Sequence, residues 1–227
     1  MRFRQSLPLG ERHLVGRLES FGDIVVGFSM SQLALQLGIA QTPQGVFAHP
    51  DRYAVFFLAF AVVSIFWFRF HRIMSTGFAP ERLDIVLLFA FLAFVALTPY
   101  ALVTYTRMHA GEGSSREGVM LYISVFLGVI GFSWILAVRG MRRAWSHLYA
   151  KERRDTWRFV VSGGFTIPVF VVILAGVGVL GTEAFGAFVF LIPLAVLGAR
   201  FTRRPWRAIV GPLADTPPVT LASAEVS

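Results

Sequence analysis

Three ionisable side chains, Arg17, Glu19 and Asp23, stand at the threshold of an apolar run that then carries Ser29, Ser31, Gln32 and Gln36. Hydroxyls and amides inside such a run need hydrogen-bond partners that hydrocarbon cannot supply. The segment is therefore expected to face protein or water. Oxygen atoms on a water-facing helix can replace part of an ion's hydration shell, and apolar side chains a turn away can narrow the passage. At about 100° per residue, Phe28, Gln32, Leu35 and Ile39 share one stripe, with Ser31 on its flank. Ser29, Gln32 and Gln36 form an overlapping polar stripe, and Gln32 belongs to both. Two readings follow. The face is a pore wall, or it is interhelical glue in a non-conducting membrane scaffold or regulatory subunit on the same fold.

Reaction chemistry has no comparable foothold. The chain contains no Walker loop, no G-x-S-x-G, no H-E-x-x-H and no acidic cluster spaced for a metal. His13, His49, His71, His109 and His147 are scattered over loops and segment ends. The absence of cysteine removes disulfides and thiolate chemistry. No enzymatic activity, catalytic residue, metal or cofactor is expected.

The elements that must position this segment are long and apolar. Of 227 residues 56% are hydrophobic and 15% charged. Charge-free blocks cover 24–40, 53–68, 85–106, 118–138, 159–182 and 184–199. With flanking residues each reaches the roughly 20 residues that cross a hydrocarbon core. The reading is an all-α polytopic membrane protein, a six-transmembrane-helix bundle in one domain over 1–207. Its helices are expected near 18–40, 53–71, 83–106, 117–139, 157–181 and 183–200. Residues 208–227, with Pro212, Pro217 and Pro218, are expected to be a disordered tail. Residues 1–16 read as a polar lead-in rather than a cleaved signal peptide, because Glu11, Glu19 and Asp23 sit where that peptide would be basic. Pro99, Pro168 and Pro193 fall inside spans and are expected to kink them.

The net charge of +8 is topological rather than a sign of nucleic-acid binding. Eighteen of the 21 Lys and Arg residues fall on the side of the N-terminus, the second-to-third and fourth-to-fifth loops and the C-terminus. Only Arg52, Arg107 and Arg116 fall on the other. The positive-inside rule then places both termini in the cytoplasm, as six spans require. The basic stretch 139–155 reads as a cytoplasmic extension of the fourth span, lying on anionic lipid. The first-span pattern occurs once, so a pore built from it needs several subunits.

With those residues in view, a resemblance emerges. Arg17-Leu18-Glu19-Ser20-Phe21-Gly22-Asp23 resembles the R-x-x-x-F-S-D motif that opens the first helix of the transmembrane protein 175 family of potassium channels. Trp67-Phe68-Arg69-Phe70-His71-Arg72 is similar to that family's W-x-x-H-H-R run, and Val95-Ala96-Leu97-Thr98-Pro99 to its V-A-L-L-P. The resemblance to the prokaryotic members implies a homotetramer in the cell membrane, with first helices lining a pore that lacks the usual filter loop. Potassium or another monovalent cation would be the permeant ion, and lipid and like subunits the partners. By position, Phe28, Ser31, Gln32 and Leu35 would line or constrict the pore. Arg17, Phe21, Gly22 and Asp23, with His71 and Arg72, would form the network holding the first helix. Four of the departures from the pattern bear on this reading. Gly22 replaces the motif serine, Phe70 the first histidine, Phe28 an isoleucine and Gln32 a leucine.

Overall fold

In uninterrupted apolar runs the backbone can satisfy its polar groups most simply within its own chain, which favours helices. The computed structural model describes residues 5–36, 50–110, 116–148 and 150–181. These hold five α-helices, and no strand occurs among the described residues. They are α1 (Leu9–Gln36), α2 (Pro50–Thr76), α3 (Arg82–Ala110), α4 (Arg116–Ala144) and α5 (Ala150–Leu180), with a 3₁₀ turn at Trp145–His147 after α4. Among the described residues four segments are long and apolar enough to cross a membrane: Tyr53–Thr76, Arg82–Tyr105, Arg116–His147 and Glu152–Leu180. Within its described residues α1 is not one of them. Its first half carries Glu11, Arg12, Arg17, Glu19 and Asp23, which lower its hydropathy. The expected helix at 183–200, Pro193 and the tail 208–227 lie outside the described residues, as do residues 37–40 of the first apolar run.

The helices pack in an order that leaves α1 at one edge. The α3–α4 and α4–α5 pairs make the most extensive contacts, and α1 packs on α2 and α3. Val15, Leu18 and Val26 of α1 join Val63, Phe66 and Phe70 of α2, and Leu88, Phe91 and Val95 of α3, in one buried cluster. A smaller cluster, Val119, Ile123, Ile173 and Val177, holds α4 to α5. Within a bilayer such contacts stabilise through close packing rather than exclusion of water. The residues read as a polar lead-in are helical from Leu9, and Val15 is fully buried.

Close approach sets the other end of α2. A Cβ at Gly77 would lie 2.4 Å from the Gly140 carbonyl oxygen, so α2 can abut α4 here only through glycine. The chain turns over 77–81 and re-enters helix after Pro80, with the Ile85 N–H bonded to the Glu81 carbonyl at 2.9 Å. Helices α3 and α5 run continuously through Pro99 and Pro168. Helix α5 stops at Gly181, whose φ of +84° is a left-handed C-cap conformation. The Gly181 N–H bonds the Val177 carbonyl at 3.2 Å.

Candidate pore-lining face

Helix α1 has two unlike faces. Val15, Leu18, Gly22, Val26, Ser29 and Leu33 are buried against α2 and α3. Opposite them Arg17, Phe21, Ile24, Phe28, Ser31 and Leu35 are exposed, at alternating spacings of four and three. Ile24, Phe28 and Leu35 are 68%, 63% and 80% exposed, far more than their types would be in a finished core. An open depression of about 460 Å³ lies along the N-terminal half of this face, lined by Arg12, His13, Arg17, Phe21 and Ile24.

The four positions named from the sequence fall as follows. Phe28, Ser31 and Leu35 are on the exposed face, and Gln32 is half-buried at its margin. Ser31 Oγ donates to the Gly27 carbonyl at 3.0 Å. With its proton turned back to the helix, that hydroxyl presents oxygen lone pairs outward. Ser29 behaves differently. It is buried, and its Oγ donates to the Val25 carbonyl of its own helix at 2.8 Å. That hydroxyl therefore spends its donor inside α1 rather than across helices. The side chain of Gln36 lies outside the described residues.

Behind this face one turn of α2 grips one turn of α1. Asp23 Oδ1 accepts a hydrogen bond from Trp67 Nε1 at 2.8 Å. Glu19 Oε1 lies 3.3 Å from His71 Nδ1, and the Trp67 and His71 rings stack at 5.8 Å. Glu19 and Asp23 are four apart on α1, Trp67 and His71 four apart on α2, and the two pairs meet antiparallel. Between them the Phe70 ring points at Gly22. Phe21 makes an edge contact with Phe89 of α3 at 5.5 Å.

The segment carrying this face and its clamp, residues 17–99, matches the family model described as endosomal/lysosomal potassium channel TMEM175. The match runs from Arg17, which opens the R-x-x-x-F-G-D run, to Pro99, which closes V-A-L-T-P. No curated protein matches the chain. Among solved structures, the fold is similar to the crystal structure of a variant of the potassium channel MtTMEM175 in complex with a nanobody–MBP fusion protein. The TM-score is 0.66 at 16% identity, covering 83% of this chain and 93% of that one. This likeness covers more of the chain than the 17–99 match does.

Not every motif residue joins the clamp. Arg17 is exposed and makes no hydrogen bond or ion pair with a described residue, so Asp23 answers Trp67 rather than Arg17. Arg72 turns away from α1. Its Nη2 donates to the Asp155 carbonyl at 2.7 Å, and its guanidinium lies 5.0 Å from the Phe159 ring centre, tying α2 to α5. The neighbouring Arg69, half-buried in a span, donates Nε and Nη2 to Ser133 Oγ at 3.3 and 3.1 Å. It also lies 4.6 Å from the centre of the same Phe159 ring, a cation–π contact. Glu19, Trp67 and Phe70 were absent from the sequence-derived site. The matched four-residue spacings of Glu19/Asp23 and Trp67/His71 were the available signal for two of the contacts.

A second polar cluster fixes the start of α3 to the end of α4. Asp84 is buried, with Arg139 Nε on Oδ1 and Arg143 Nη1 on Oδ2. Glu81 Oε2 caps both guanidiniums, 3.0 Å from Arg139 Nη2 and 2.5 Å from Arg143 Nη2. Two of the arginines read as part of a lipid-lying extension are therefore turned into the bundle. Among the described residues no three His, Cys, Asp or Glu side chains converge as metal ligands.

Proposed function

We propose that this chain is one subunit of a homotetrameric, potassium-type cation channel whose pore is walled by the exposed face of α1. The carrying observation is the run Phe21, Ile24, Phe28, Ser31 and Leu35, exposed at helical spacing opposite a face packed on α2 and α3. A single α1 cannot enclose a passage, whereas four copies around an axis can. In that arrangement Phe28 and Leu35 form apolar rings that resist wetting. Ser31 supplies outward-facing oxygens between them, and Gln32 stands at the margin. Behind that face Glu19, Gly22 and Asp23 meet His71, Phe70 and Trp67, and Phe21 meets Phe89, while Arg72 secures α2 to α5 and Arg17 stays on the exposed face. The TMEM175 match and the fold shared with a potassium channel support this reading. So does Ser29, whose self-satisfied hydroxyl is of little use as glue between helices. The positive charge bias supports cytoplasmic termini, and the resemblance to prokaryotic members supports a cell-membrane location.

The direct experiment is potassium flux into liposomes containing purified protein, compared with Phe28→Ala. The wild type should conduct, and widening the Phe28 ring should raise the flux. Absence of flux from both proteins would overturn the proposal.

A further inference from the structure

Two of the positions at which the chain departs from its family's pattern, Gly22 and Phe70, touch each other. A Cβ at residue 22 would lie 2.1 Å from Phe70 Cζ, with Cε1 and Cε2 at 2.6 and 2.8 Å. That is ~1.5 Å short of an ordinary carbon–carbon contact. The ring has little room to withdraw. Phe70 is fully buried and stacks on the fully buried Phe91 of α3, with ring centres 6.3 Å apart and 12° between planes. Gly22, Phe70 and Phe91 thus form one layer through α1, α2 and α3. The layer lies between the Glu19–His71 and Trp67–Asp23 contacts, which register the same turn of α1.

We propose that Gly22 and Phe70 are one coupled unit, and that Phe70 is a positioning residue that sets how closely the pore-lining helix seats on the bundle. The motif serine is replaced by glycine here because the ring occupies the volume a side chain would need. The ring in turn fills the space that glycine leaves, as an apolar plug. Phe28 lies six residues further along α1, about 9 Å up the helix axis. A side chain at 22 levers α1 away from α2 below that level and displaces Phe28, Ser31 and Leu35 relative to the axis they would share. The functional half of this inference rests on the channel reading above; the contact itself does not.

The test is a double-mutant cycle on the full chain with Gly22→Ala, Phe70→Leu and the pair. Two readouts are taken: Tm in detergent, and potassium flux in liposomes divided by the amount of assembled protein. Gly22→Ala alone should lower both, the flux by roughly tenfold, as an ordinary contact-strength coupling would. Adding Phe70→Leu, which shortens the ring, should recover most of each loss. If Gly22→Ala fails to assemble, recovery of assembly by Phe70→Leu is the supporting result, and no recovery overturns the proposal. Wild-type behaviour of Gly22→Ala, or strictly additive effects, also overturns it. A fall in yield with unchanged flux per assembled protein overturns the positioning role. If the wild type carries no flux, the channel reading fails and the Tm cycle alone decides the coupling.

Discussion

The indole N–H of Trp67 reaches Asp23 Oδ1 across 2.8 Å, joining the second helix to the first at the residue that closes the R-x-x-x-F-G-D run. A charged acceptor makes this stronger than a neutral hydrogen bond, though Asp23 is exposed enough to be partly solvated. Glu19–His71 repeats the connection one turn away. Together they fix α1 in rotation, which decides the side chains it turns outward.

Trp67→Phe removes the indole donor and keeps a smaller aromatic ring. Stability should fall by about 1 kcal/mol, less than is usual for a bond to a charged group because Asp23 keeps access to water. The same loss is expected for Asp23→Ala, and the double substitution should cost little more than either alone. Denaturation of the purified protein in detergent measures all three. Additive losses would mean the contact is not formed in solution.

Asp84 and Glu81 share the same two arginines yet differ in burial. The Asp84 side chain is 1% exposed and that of Glu81 is 55%. Asp84→Asn removes the buried counter-charge of two guanidiniums that keep only the exposed Glu81, and should be the costlier of the two substitutions. Glu81→Gln removes a solvated partner and should cost less than about 1 kcal/mol. The ordering of the two midpoints in a common denaturant series is the check. Equal losses would place Asp84 in a wetter environment than its burial implies.

The helical, membrane-embedded character was legible because long charge-free blocks leave the backbone few other solutions. The family resemblance was legible too, since 17–23, 67–72 and 95–99 carried it and the match over 17–99 bears it out. What stayed hidden depended on how helices rotate against one another. Periodicity groups Phe28, Gln32 and Leu35 on α1 but does not say which arc α2 and α3 cover. Ser31 proves exposed and Gln32 half-buried. Arg72 sits about 100° around α2 from His71, enough to send it to Asp155 rather than to α1. The Asp84 cluster carries no local sequence signal, because Arg139 and Arg143 lie 55 and 59 residues away. The Gly22–Phe70 contact was visible only as two separate departures.

The central claim is that the exposed face of α1 borders the ion path. The cysteine-free chain permits a direct measurement of that claim. Single cysteines are placed at 24, 28, 31 and 35 on the exposed face and at 26, 29 and 33 on the packed face. Potassium flux into liposomes is then read before and after a membrane-impermeant, water-soluble thiol reagent. Modification should block flux at 28, 31 and 35 and leave it unchanged at 26, 29 and 33. Undiminished flux after confirmed modification at 28, 31 and 35 would contradict the account.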